Sequence, residues 1–142
     1  MTVALLLVGG LLMPRAGAAQ GRWGTKVRNQ LDRASSILSG KGYEMTHELF
    51  TGSLRADEAE SITLTLHAGT AYALVGVCDN DCSDLDLRLY DADDAAVDAD
   101  VQKDDTPIVQ VTPHETQRYR VKAIMAACRT SPCFYGIGVF GK

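Results

Sequence analysis

From residue 43 to the end of the chain, apolar and polar residues alternate in short runs. Ile62, Leu64 and Leu66 alternate with Thr63 and Thr65. Leu85, Leu87 and Leu89 alternate with Asp84, Asp86, Arg88 and Tyr90, and Tyr119, Val121, Ala123 and Met125 with Arg118, Arg120 and Lys122. A two-residue period puts the apolar set on one face of a strand and the polar set on the other. The pattern predicts strands over 43–50, 60–66, 71–77, 85–90, 107–111, 117–126 and 133–140, with a shorter one near 95–97. Turn-forming residues separate them: Asp57 and Glu58, Gly69, the acidic stretch after Cys78, Asp104 and Asp105, and Pro113. Short strands at this spacing predict an all-β fold of two packed antiparallel sheets, a sandwich.

Upstream the period changes. Trp23, Val27, Leu31, Ala34 and Leu38 recur at three- and four-residue steps, the signature of an amphipathic helix, and Gly40 and Gly42 end it. So narrow an apolar stripe is expected to pack on the β-domain; a membrane-surface or partner helix is the alternative. Before it, residues 2–13 are nearly all apolar, Pro14 breaks the run, and Ala16, Gly17 and Ala18 fit the small-residue rule for signal-peptidase cleavage. Such a run is short of the ~20 residues that span a bilayer. The expected organisation is a signal peptide over 1–19, an N-terminal helix over 20–42 and a β-sandwich domain over 43–142. The mature chain would carry no transmembrane segment.

Four cysteines fall in two close pairs, Cys78 with Cys82 and Cys128 with Cys133. In an exported chain this spacing predicts disulfides, and periplasmic or extracellular localisation goes with them. Three connectivities exist, and the two local bonds are preferred. Cys128 and Cys133 flank a four-residue turn and are expected to face each other across a hairpin. A zinc site is the rival, but neither spacing suits a zinc ribbon and no histidine is close in sequence. Bonds closing such short loops are expected to fix loop shape above all.

Net charge is −4, and 11 of the 18 acidic residues lie between Asp79 and Asp105. That half of the chain lacks a basic patch with interleaved aromatics, which argues against nucleic acid as a partner. Asp79, Asp81, Asp84 and Asp86 lie on or beside one turn. They are the candidate ligands for calcium, which takes six to eight oxygens, although the helix–loop calcium motif is absent. The competing reading is that they cap turns and keep a sheet edge soluble. The later acidic run from Asp91 to Asp105 reads as solvated loops.

No catalytic constellation is recognisable. His47, His67 and His114 sit in different segments, and no nucleophile elbow, metalloprotease helix or phosphate loop is present. Glu44 and Glu48 could pair with Asp57 as glycosidase-like acids, but paired acids are abundant in any acidic protein. Tyr90, on the polar face of its strand, and Arg129, in the Cys128–Cys133 turn, are the candidate ligand contacts.

Several segments resemble the bacterial pre-peptidase C-terminal domain family. They are residues 66–72 (LHAGTAY), 83–91 (SDLDLRLYD), 111–113 (VTP) and 118–121 (RYRV), so the likeness runs from Glu60 to the end. It departs from the family where Gln117 and Arg118 precede Tyr119, and where the turn after Asp91 lacks a glycine. The resemblance implies a secreted sandwich of jelly-roll-like topology, related in shape to the collagen-binding modules of bacterial collagenases. Family members are usually appended to a protease or other exoenzyme; this chain is also similar to stand-alone exported proteins on the same plan. The expected function is a non-catalytic binding or accessory module that engages protein or polysaccharide through loops at one end of the sandwich. A calcium-stabilised structural protein of the cell envelope is the alternative, and a hydrolase is the third.

Overall fold

The computed structural model of the chain describes residues 17–142, the side chains of 17–20, 22 and 23 excepted. The expected signal peptide falls almost wholly outside the described residues, as does the placement of the Trp23 ring. One helix, α1 (Gly17–Ser39), precedes nine strands. The helix ends at Ser39, just before the Gly40 and Gly42 expected to end it. It stops because the backbone turns at Gly42, whose φ of 85° suits a residue without a Cβ, and the Tyr43 amide folds back to donate to the Leu38 carbonyl at 3.1 Å.

The strands form two antiparallel sheets. The five-stranded sheet holds β1 (Glu44–Met45), β2 (Phe50–Leu54), β4 (Tyr72–Cys78), β7 (Ile108–Val111) and β9 (Cys133–Gly141). β1 and β2 lie in series along one edge of β9; β4 occupies its other edge, and β7 lies beyond β4. The four-stranded sheet runs β3 (Ala59–Leu66), β8 (Gln117–Cys128), β5 (Cys82–Tyr90) and β6 (Ala96–Asp100). The expected β-sandwich is therefore present.

Between the sheets the alternating residues meet as read from sequence. Leu64, Leu66, Leu85, Leu87, Leu89, Val121 and Met125 pack against Leu74, Val109, Tyr135, Ile137 and Val139. The outer face of the five-stranded sheet is not solvated. Val27 and Leu31 of α1 are buried against Val75, Val77 and Phe140. With helix on one side and sheet on the other, every residue of β4 is buried, so its sequence reads as a continuous apolar run and not as an alternation. Burying Val27 and Leu31 stabilises the docked helix by about 1.5–3 kcal/mol per side chain.

Gly136 and Gly138 make that contact possible. A Cβ at Gly136 would stand 2.6 Å from Cγ1 of Val27, and one at Gly138 3.2 Å from Cδ2 of Leu31. The helix sits directly on glycine backbone.

The expected strand over 43–50 is broken. Met45 pairs with Phe140 and Phe50 with Ile137, so residues 46–49 face only Gly138 and Val139. The surplus chain loops out because Tyr43 and Leu49 pack under α1 while the His47 ring turns the other way, its Nε2 lying 3.0 Å from the Thr65 carbonyl. The strand proper follows at Phe50–Leu54. Its Thr, Gly and Ser gave no apolar alternation, and Gly52 is required where a Cβ would meet the Tyr135 ring at 2.8 Å.

Candidate functional site

The four cysteines gather at one end of the sandwich, bonded as Cys78–Cys82 and Cys128–Cys133, each pair with Cα atoms 5.9 Å apart. The connectivity agrees with the sequence; the reason for it does not. β8 and β9 lie in different sheets, so residues 129–132 form no hairpin. The chain crosses from the five-stranded to the four-stranded sheet between Cys78 and Cys82, and crosses back between Cys128 and Cys133. Each bond staples one sheet to the other, which is more than fixing a loop. Both disulfides fit an oxidising, extracellular-type environment.

Asp79 joins the two crossings. It is 2% exposed, its Oδ1 accepts from the Asp81 amide at 3.0 Å, and its Oδ2 accepts from the Phe134 amide at 2.8 Å. The Asp79 amide in turn donates to the Phe134 carbonyl at 3.0 Å. A buried carboxylate is tolerated here because charge-assisted bonds from backbone N–H groups replace water. On the outside, Arg129 closes the same gap. Its amide donates to the Asp81 carbonyl at 2.8 Å, and its guanidinium grips Asp81 Oδ1 from Nη2 at 2.7 Å and Nε at 3.2 Å. With the arginine side chain 77% exposed, that ion pair contributes at most about 1 kcal/mol. It orients the tip more than it stabilises the fold.

The four aspartates expected around calcium divide into two groups. Asp79 and Asp81 are engaged by backbone amides and by Arg129. Asp84 and Asp86 point from β5 onto the outer face of the four-stranded sheet. One buried oxygen of Asp84, Oδ1, has no hydrogen-bond partner. Partial burial raises the Asp86 pKa above the ordinary carboxylate value; the neighbouring Asp84, and further off Asp100 and Asp104, add to this, and Arg88 opposes it. Among the described residues no three His, Cys, Asp or Glu side chains are grouped to hold a metal ion.

The later acidic run shapes backbone. Asp91 Oδ1 accepts from the amides of Asp93 and Ala95, both at 2.9 Å, and Asp104 Oδ1 accepts from Thr106 at 2.9 Å. Asp98 and Asp100 do something the sequence did not announce. As register partners of Leu89 and Leu87 they point inward, and across the open edge Asp98 Oδ2 accepts from the Gln110 amide at 2.7 Å and Asp100 Oδ2 from the Ile108 amide at 2.9 Å. Edge strand β7 thus has two amides capped by carboxylates of the opposite sheet. This is why β6 extends to Asp100 despite a sequence, AVDAD, with little strand propensity.

Tyr90 and Arg129 are not one site. Tyr90 ends β5, opposite the disulfide end where Arg129 stands, and its ring lies under the Arg120 guanidinium, 4.4 Å from CZ to ring centroid. The acids weighed as a glycosidase pair are equally far apart: Glu44 pairs with Gly141, whereas the Asp57 amide binds the Met125 carbonyl at the disulfide end. His47 is held by Thr46 and Thr65, and His114 lies on the β7–β8 connection beside an open hollow of about 410 Å³.

No helix among the described residues is long and apolar enough to cross a membrane. Compared with known proteins, the chain matches no family model and no curated protein sequence.

Proposed function

We propose that this chain is an exported, non-catalytic binding or accessory module that engages protein or polysaccharide through the disulfide-braced end of its sandwich. The observation that carries this reading is the double brace at that end: the Asp79 carboxylate spans both crossings from inside, and Arg129 ties them from outside. Loops already fixed in shape lose little conformational entropy when a ligand docks, so affinity needs fewer contacts. A jelly-roll-like kinship with pre-peptidase C-terminal domains, and export by a cleaved leader, belong to the same proposal; the residues 66–72, 83–91, 111–113 and 118–121 and the two disulfides support them. Fold kinship alone is a weak guide to role.

The test is binding of the processed chain to immobilised collagen and to insoluble cellulose, repeated with Arg129→Ala. Binding that weakens at least tenfold in the variant supports the reading, and binding indifferent to the substitution removes the braced end from it. The calcium-stabilised envelope protein remains the second reading. It would rest on Asp84 and Asp86, since the other two aspartates are engaged, and the unpartnered Asp84 oxygen is what favours it.

A further inference from the structure

The helix covers the outer face of the five-stranded sheet, whereas nothing among the described residues covers that of the four-stranded sheet. Its side chains are set by register. Thr65 stands beside Arg118, Thr63 beside Arg120 and then Tyr90, and Ser61 beside Lys122 and then Arg88. Four cations therefore share one face of a chain whose net charge is −4, with Asp84 and Asp86 further along β5 at the far end of that face. Arg120 is paired with Asp94 at 2.8 Å; Arg88, Arg118 and Lys122 have no ion-pair partner among the described residues. Arg88 and Lys122 are direct partners across β5 and β8. Like charges at such positions cost stability, and a bound anion would relieve that cost.

Along β8 the cations recur at every second residue, about 7 Å apart, as a straight row. The row ends in an open hollow of about 250 Å³ lined by Thr63, Asp91, Asp94, Arg118 and Arg120. Along the row, the guanidinium groups of Arg88 and Arg118, unpaired among the described residues, can clasp a carboxylate or sulfate through paired N–H donors. The two aspartates can accept from hydroxyls, and the threonine can both accept and donate. Anionic groups in a row with hydroxyls between them describe an acidic polysaccharide.

Two other polyanions fit less well. A phosphodiester chain carries a charge on every unit and would set one against Asp91 and Asp94 in the hollow, where a sugar can place hydroxyls, and the Tyr90 face that a base would stack on is already occupied by Arg120. An anionic membrane surface would want several apolar side chains to insert among the cations; Val97 on β6 is the one exposed large apolar residue on the described strands of this sheet, and none lies on β3, β5 or β8, where the cations are.

We propose that the outer face of the four-stranded sheet binds an acidic polysaccharide, laid across Arg88, Lys122, Arg120 and Arg118 with one sugar in the hollow. This face is separate from the braced end and does not depend on it. The experiment measures binding of the processed chain to polygalacturonate (carboxylate), dextran sulfate (sulfate), neutral dextran, single-stranded DNA and phosphatidylglycerol vesicles. At least one acidic polysaccharide should bind, more weakly as salt rises, and neutral dextran should not. Arg88→Glu is the decisive variant. It should weaken that binding about tenfold, with retention of the fold read by circular dichroism, since the introduced carboxylate gains Lys122 across the ladder but stands two residues from Asp86 on the same face. Arg118→Gln should weaken binding severalfold, and Arg33→Glu on the exposed side of α1 should leave it unchanged. The proposal is overturned if neither acidic polysaccharide binds, if dextran binds equally, if Arg88→Glu has no effect, or if DNA or vesicles bind as tightly as the best polysaccharide.

Discussion

Cys82 and Cys128 are direct partners on neighbouring strands, yet each is bonded to a cysteine of the opposite sheet. The ladder already joins β5 to β8, so a bond between these two would add nothing to the sandwich. Both are spent on crossings between sheets, where no strand ladder joins the layers.

That arrangement makes a prediction about mispairing. In a Cys78→Ala/Cys133→Ala variant, Cys82 and Cys128 are left free at facing positions, where Cα atoms in antiparallel pairs lie about 4.5–5.5 Å apart, within disulfide range. Oxidised protein should contain an 82–128 bond, found by mass spectrometry of non-reduced peptides. Each lost native bond closes a short loop and should cost about 2 kcal/mol on the chain-entropy account. Melting of the variant should not return to the native value when the new bond forms.

Asp79 is the second testable element. Asp79→Ala strands two amides in a 2%-exposed site and should cost about 3 kcal/mol, with the loss read by urea denaturation. Asp79→Asn keeps one acceptor and should cost about half as much. A loss near zero would mean that water substitutes for the brace.

Gly136→Ala should destabilise by about 1–3 kcal/mol, because the new methyl meets Val27 at a distance that neither the sheet nor the helix can absorb. Adding Val27→Ala should recover part of that loss, and a double-mutant cycle would measure the coupling. Additive effects would place the helix elsewhere.

Two groups give the stability profile its slope at its ends. The Asp86 carboxyl has a folded-state pKa above that of the unfolded chain, so the folded form takes up the proton first as pH falls. Its charge therefore disfavours the fold at neutral pH, and the penalty is relieved between the raised value and the ordinary ~3.9. Asp86→Asn should raise the melting temperature at pH 7 by about 2 °C and lose that advantage near pH 4. If calcium binds beside Asp84, millimolar calcium raises the wild-type melting temperature and abolishes the advantage of the variant. At the alkaline end, burial and then donation to Glu60 hold the Tyr135 phenol neutral well beyond its usual range. Stability should fall as pH rises past ~10, and Tyr135→Phe should flatten that decline.

Alternation made the inward leucines of β3 and β5 and the inward set of β8 legible, because those strands have one wet face. The inter-sheet nature of the disulfides was not legible, since local spacing says nothing about which sheet a strand joins. β2 was hidden by Gly52, whose role is to make room for Tyr135, and residues 46–49 were misread because Leu49 answers to the helix and not to the sheet. The cationic row was visible as the polar half of β8; only the pairing of Lys122 with Arg88 showed that it continues onto β5. Asp98 and Asp100 looked like solvated charge, and nothing in sequence announces a carboxylate that caps another sheet's amides.

Those two carboxylates have a consequence for crowding. With the Ile108 and Gln110 amides already satisfied, β7 offers a second copy of the protein fewer docking points for edge-to-edge growth. Removing both carboxylates, as in Asp98→Ala with Asp100→Ala, would reopen that flank, so stickiness between molecules should begin at this seam while the hydrophobic interior stays closed.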